Sequence, residues 1–200
     1  MNRIEADGSD SDVTTALLFA PAVGDATASV CATLSEFTDQ PLDRVVPVTV
    51  TQSASDWLRT WERVGRSVPV TCVDVDGDTR SAAGPAVTSP SVPVERVSDP
   101  TDLEAVGRQV SDVLQDAADD GECVGVTVHS LTGVLQHVDE ATAFKFVYTL
   151  GEIVRQVGGV VVFHLDRDAH ADETVETFSV ACDAAVELDR PLATCDGGRD

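Results

Sequence analysis

The chain has 200 residues, of which 42% are hydrophobic, so one domain with a sizeable core is expected. Its formal net charge is −22 and its pI is near 4.2. No apolar run reaches the roughly 18 residues of a membrane span. The arginines are scattered among acids, whereas nucleic-acid phosphates require clustered Lys and Arg, so neither a membrane nor a nucleic-acid partner is expected.

Residues 1–12 are polar and acidic, without the basic and apolar regions of a signal peptide, which leads to the expectation of a disordered terminus and a cytoplasmic protein. Lys145 is the sole lysine. Recurrent valine-rich runs argue against general disorder. The acidic bias reads instead as adaptation to a cytoplasm of molar salt, where the Debye length shrinks to about 3 Å and self-repulsion is screened. Cys31, Cys72, Cys123, Cys182 and Cys195 are odd in number and widely spaced, so small buried thiols are expected rather than a disulfide framework or a zinc ribbon.

Along the chain, residues 14–20 (TTALLFA) predict a buried strand and 25–35 a helix. Residues 44–51 (RVVPVTVT) predict a second strand, with Pro47 suggesting a sheet edge. Ser55 or Asp56 is expected to cap a helix running to about Val64, with Trp57, Leu58 and Trp61 on its inner face. Residues 68–75 (VPVTCVDV) predict a third strand. Residues 76–93, rich in Gly, Ser, Ala and Pro, predict a flexible loop, and 94–97 a short strand. Pro100 and Asp102 open a long helix with Leu103, Val106, Val110, Val113 and Leu114 as its apolar stripe. Strands at 123–128, 160–165 and 184–188 then alternate with helices at 139–157 and 172–181, and Gly158-Gly159 stops the first of these helices. The tail from 190 to 200 is expected to be disordered. Apolar strands alternating with amphipathic helices imply a mostly parallel sheet covered on both faces.

The second half carries a more specific pattern: Ser130-Leu131-Thr132 after a strand, the strand at 160–165, His170, Glu173-Thr174, and Asp183 with Glu187-Leu188. These pieces resemble the C-terminal half of a KaiC-like ATPase domain of the RecA superfamily. The resemblance implies a three-layer αβα, RecA/P-loop NTPase-like domain over residues 13–189, with a phosphate loop after the first strand. That loop should read G-x-x-x-x-G-K-[ST], with glycine backbone amides and a lysine around the phosphates. Here residues 20–27 read Ala-Pro-Ala-Val-Gly-Asp-Ala-Thr. Gly24, Asp25 and Thr27 mark a vestigial loop in which only Thr27 keeps its family identity, while Asp25 places a carboxylate where a phosphate would sit. The family's magnesium-orienting aspartate aligns with His129, next to Ser130, and Mg²⁺ prefers oxygen ligands. Loss of these groups removes the main terms of phosphoryl transfer, so no catalytic residues and no cofactor are expected.

Other constellations favour plain readings. His164, Asp166, Asp168 and His170, together with His129, have the types of a metal site, but spacing alone does not make ligands converge, and no metal is expected. Ser130 lacks a nucleophile elbow and is expected to cap a turn. Trp57 and Trp61, and the cluster of Phe144, Phe146, Val147 and Tyr148, are expected in the core. Asp74, Asp76 and Asp78 resemble a receiver's acidic pocket without its lysine, since Lys145 lies in a helix. The expected function is therefore a non-hydrolysing regulatory or protein-interaction module with a protein partner or a homo-oligomeric state. A ligand-binding module without turnover, a divergent ATPase and a metal enzyme using His129 and His164 are the alternatives.

Overall fold

The computed structural model describes residues 2–4 (backbone only), 13–21, 34, 37–38, 40–50, 52–63, 68–75 and 92–187. An eight-stranded sheet forms the centre. Its strands are β1 (Asn2–Ile4), β2 (Thr15–Phe19), β3 (Arg44–Thr49), β4 (Cys72–Val75), β5 (Val94–Val97), β6 (Val124–His129), β7 (Val160–Leu165) and β8 (Ala184–Glu187). The order is β1-β8-β2-β7-β6-β3-β4-β5. β2 to β8 are all parallel, and β1 pairs antiparallel with β8. Three residues of the acidic N-terminus, expected to be disordered, thus add a strand to the β8 edge. β8 offers a free row of backbone donors and acceptors there, which a passing segment can satisfy. No helix among the described residues is long and apolar enough to cross a membrane.

The helices are α1 (Ala54–Arg63), α2 (Leu103–Asp119), α3 (Leu131–Val134), α4 (Glu140–Gln156) and α5 (Asp172–Ala181). The α2 stripe of Leu103, Val106, Val110, Val113 and Leu114 packs on one face of the sheet with Phe146, Val147, Leu150 and Val154 of α4 and Val175 and Phe178 of α5. Trp57, Leu58 and Trp61 of α1 pack on the opposite face against Leu18, Val45, Cys72 and Val162. Side chains alternate across each strand, so β2, β3, β4 and β7 feed both cores at once. This is why their sequences read as near-continuous apolar runs.

Caps set the helix starts. Asp102 Oδ1 accepts from Ala105 N at 2.8 Å and Asp139 Oδ1 from Thr142 N at 2.8 Å. α1 begins earlier than its sequence suggests. Ser53, not Ser55 or Asp56, caps it by accepting from Asp56 N at 3.1 Å, and the Ser53 hydroxyl donates to Asp56 in return. Gly158, at φ 68°, ends α4 in the left-handed conformation glycine tolerates.

Pro47 corrects a second expectation, because β3 is central between β6 and β4. Val45 bonds towards the β4 side through Pro69 O and Thr71 N, while Val50 N bonds to His129 O of β6. Alternation therefore turns the Pro47 nitrogen towards the β4 side. There the pairing has a gap between the isolated Val45–Val70 bridge and the ladder that starts at Val48–Val73. The bridge and the ladder keep one register, so Pro47 itself interrupts the pairing by having no N–H to donate to the β4 side, and the sheet bears the loss of that one bond.

At the amino ends of β2 and β8, Asp183 acts as a clamp. Its Oδ2 accepts from Thr14 N, Thr15 N and Thr15 Oγ1 at 3.1, 2.8 and 2.8 Å, and from Arg155 Nη2 at 3.2 Å. Partial burial opposes its charge, but the Thr15 and Thr14 bonds and Arg155 outweigh this and hold the carboxyl below its ordinary value. Asp183→Ala is expected to cost about 2 kcal/mol by leaving two strand-end amides and a threonine hydroxyl without their acceptor. Chemical denaturation of the variant in molar KCl checks this, and an unchanged midpoint would remove the clamp.

Candidate functional site at the carboxyl edge of the sheet

The carboxyl ends of four adjacent parallel strands place polar side chains in a row. His164 is the penultimate residue of β7, His129 ends β6, Thr49 ends β3 and Asp74 is the penultimate residue of β4. Thr49 is in register with both His129 and Asp74, so the three side chains share one face. His164 stacks on His129, with ring centroids 4.6 Å apart and planes at 24°. All four residues are buried, His164 completely. Their face is the one that carries Trp57 and Trp61, because Val128, Phe163, Val48 and Val73 point into the other core.

Thr49 Oγ1 donates to Asp74 Oδ1 at 2.7 Å, which satisfies a buried hydroxyl and gives the carboxylate a donor. His164 Nε2 lies 2.8 Å from Ala20 O. A carbonyl only accepts, so Nε2 carries the proton and Nδ1 holds the lone pair. Burial pushes the His164 imidazole below its ordinary value, against smaller opposing effects of Ala20 and Asp166. Burial, followed by proximity to His164, lowers His129 to about 4. Both rings are neutral at pH 7. The Nδ1 atoms of both, with Trp57 Nε1 and Thr127 Oγ1, are buried without a hydrogen-bond partner. Thr127 and His129 alternate with Val126 and Val128 on β6, so all four atoms lie on this same side of the sheet.

The loops above the row are tied down. Ser130 caps α3 by accepting from Gly133 N at 3.2 Å, in line with its expected role in a turn. Thr132 Oγ1 accepts from Asp166 N at 2.9 Å and lies 3.1 Å from His170 Nε2. Asp166 accepts from Asp168 N in the turn Arg167–Ala169, and the Arg167 guanidinium sits 5.4 Å from the Phe19 ring centroid at the end of β2. The His129–Ser130 peptide is cis.

The structure brings some of the singled-out residues together and separates others. His129 and His164 meet, but not as metal ligands. Imidazole lone pairs lie in the ring plane, and two nearly parallel stacked planes do not converge on one ion. Asp166, Asp168 and His170 serve the loop instead, and no group of three or more metal-type ligands occurs among the described residues. The plain reading of the acids and histidines of this stretch is one satisfied core histidine, one loop histidine and solvated acids, but two histidines are buried and each leaves Nδ1 unpartnered. Trp57 and Trp61 stack in the core with centroids 5.3 Å apart, whereas Tyr148 of the predicted aromatic cluster is exposed. Cys72 and Cys182 are buried, and burial pushes both thiols up to about 12. Gly24, Asp25 and Thr27 of the vestigial loop lie outside the described residues, as do Cys31, Cys195, Asp76, Asp78, the helix at 25–33, most of the loop at 76–93 and the tail beyond 187. The Thr49–Asp74 pair was not anticipated, although an aspartate inside VPVTCVDV was the available signal.

A sheet of seven parallel strands with a buried polar row at its carboxyl edge narrows the fold to the doubly wound α/β class, and sequence comparison narrows it further. Residues 13–188 match a family of unknown function, DUF7504. The chain belongs to the DUF7504 family. No curated protein matches it. This DUF7504 domain is similar in structure to a KaiC-like protein, PH0186, from the hyperthermophilic archaeon Pyrococcus horikoshii OT3, with a TM-score of 0.55 at 12% identity over 98% of this chain and 84% of that one. PH0250 from the same organism gives a TM-score of 0.53 at 11% identity, covering 88% of this chain and 82% of that one. A prototypical ATPase from the type III secretion system of pathogenic bacteria gives 0.52 at 11% identity, covering 90% of this chain and 54% of that one. At such identities the likeness concerns the fold, which is RecA/KaiC-like.

Proposed function

We propose that this DUF7504 domain is a degenerate RecA/KaiC-like domain that does not turn over ATP. It acts as a regulatory or protein-interaction module in a high-salt cytoplasm, with a protein partner or further copies of itself, and with no part played by nucleic acid or a membrane. One observation carries the reading. His129 occupies the strand end where the resembled family has its magnesium-orienting aspartate, and there it is a buried neutral imidazole stacked on His164. A neutral nitrogen at that position neither binds Mg²⁺ well nor balances phosphate charge. The lost lysine and glycine of residues 20–27 support the same conclusion from the sequence side.

The test is ATP calorimetry in molar KCl, with and without Mg²⁺. No heat at high micromolar protein is expected, and no phosphate release. Magnesium-dependent turnover would overturn the reading in favour of a divergent ATPase. A second reading, ligand binding without turnover, is favoured by the four unpartnered polar atoms on the His129 face. Binding heat without phosphate release would select it.

A further inference from the structure

We propose that the groove between α2 and α4 is the docking site for an amphipathic helix of a partner protein, one whose apolar stripe is flanked by carboxylates. The inference rests on the protein-interaction reading above and names the surface and the partner chemistry. The groove has a volume of about 550 Å³ and runs between the two helices on the face of the sheet opposite the His129 side chain. Leu103 and Gly107 of α2 and Phe146, Leu150 and Ile153 of α4 give it an apolar floor. Arg108 stands on one wall and Lys145 on the other.

Three observations point to an occupant. The first is Gly107. A mid-helix glycine disfavours the helix relative to alanine. Here a Cβ would meet nothing within 4 Å, so no neighbouring helix requires the small residue. What the glycine does is keep the groove floor low. The second is charge. In a chain with 35 acids and 13 bases, cations are scarce. Arg44, Arg59 and Arg155 are in ion pairs and Arg167 covers Phe19. Arg96, Arg108 and the sole lysine, Lys145, are exposed and have no such partner among the described residues, and two of these three, Arg108 and Lys145, border this one groove. Unpaired cations on opposite walls of an apolar floor complement carboxylates on both sides of an apolar stripe.

The third is shape. The groove follows α2 from Leu103 to Ser111 and α4 from Thr142 to Ile153, about 12 and 16 Å of helix at 1.5 Å per residue. That length suits an occupant of two to three turns, with apolar anchors at i, i+4 and i+7. The walls are helices whose backbone groups are already bonded, so the groove offers no ladder to an extended strand. A helix brings its own backbone bonds and fits. Asp102 and Glu104 at the start of α2 lie at one end of the groove, where the positive end of an occupant's helix dipole is accommodated.

The experiment uses the full chain in molar KCl and two synthetic peptides of about 14 residues. Both carry the same leucine stripe, one flanked by Glu and the other by Lys, and fluorescence anisotropy reads their binding. Because molar salt screens all but contacting charges, the Glu peptide is expected to bind about threefold more tightly than the Lys peptide, and the double variant Arg108→Glu, Lys145→Glu to abolish or invert that preference. Gly107→Leu fills the floor and is expected to weaken the Glu peptide at least tenfold, while its thermal midpoint stays equal to or above that of the parent chain. No binding of either peptide, equal binding of both, or indifference to Gly107→Leu in a folded variant would overturn the proposal. So would self-association of the chain that Lys145→Glu abolishes, since the occupant would then be a second copy. None of these results bears on ATP turnover, so this proposal and the non-hydrolysing reading fail separately.

Discussion

Trp57→Ala is expected to destabilise the fold by about 4 kcal/mol, the range for removing a fully buried large aromatic side chain. Trp57 has no exposed surface, stacks on Trp61 and sits in the core that α1 shares with Leu18, Val45, Cys72 and Val162. Cutting the ring back to a methyl opens a cavity that the sheet on one side and Trp61 on the other cannot close. Trp57→Phe separates volume from polarity. Its ring fills most of the space, and it deletes the indole N–H that is buried without an acceptor. The loss for phenylalanine is therefore expected to be about 1 kcal/mol. Guanidinium unfolding of both variants in molar KCl gives the comparison. Equal losses would mean that the indole nitrogen has an undetected partner or that α1 is held elsewhere.

Acid should weaken the domain through His129 well before the carboxylates protonate. The unfolded imidazole takes its proton near pH 6.5, and the folded one resists it down to about 4 because it is buried and lies against His164. Between these values the unfolded state binds the extra proton. This contribution to stability is therefore fully present above pH 6.5 and falls as pH drops through the window towards 4. At 1.36 kcal/mol per pKa unit, the accumulated loss is about 3 kcal/mol. His164 shifts in the same direction for the same principal reason, burial, and adds to the slope. Thr49 and Asp74 continue the row beside His129, and Asp166 acts on His164 in the opposite sense to burial. Unfolding free energy measured from pH 7.5 to 4 for the parent chain and for His129→Gln tests the assignment. The variant curve should be flatter through the window. Parallel curves would place the acid sensitivity in other groups.

The two effects meet at one place. The face that holds His129, His164 and Thr127 also carries Trp57, and each of these leaves a buried polar atom unpartnered. Such atoms oppose stability. Their confinement to the side of the sheet that includes the carboxyl-edge row is what keeps ligand binding in consideration there, since α/β sheets bind ligands at their carboxyl ends.

Strand and helix identity was legible from periodicity. The strand at 160–165 and the helix at 172–181 have the boundaries read from the sequence, because a short fully apolar run and an amphipathic run each have one favourable way to be buried. The helix starts at Asp102 and Asp139 and the stop at Gly158 were legible for the same local reason. Strand order was not. Pro47 argued locally for an edge, yet β3 is central, because β3 stays paired with β6 along its whole length and the sheet tolerates the one bond that Pro47 withholds from the β4 side. The candidate site divides in the same way. The absence of a phosphate-loop lysine and of a strand-end aspartate could be read directly from residues 20–27 and His129. The stacking of His129 on His164, the Thr49–Asp74 bond and the unpartnered Nδ1 atoms could not. Each depends on register between strands distant in the chain, and register is set by burying two faces of the sheet at once rather than by any local preference.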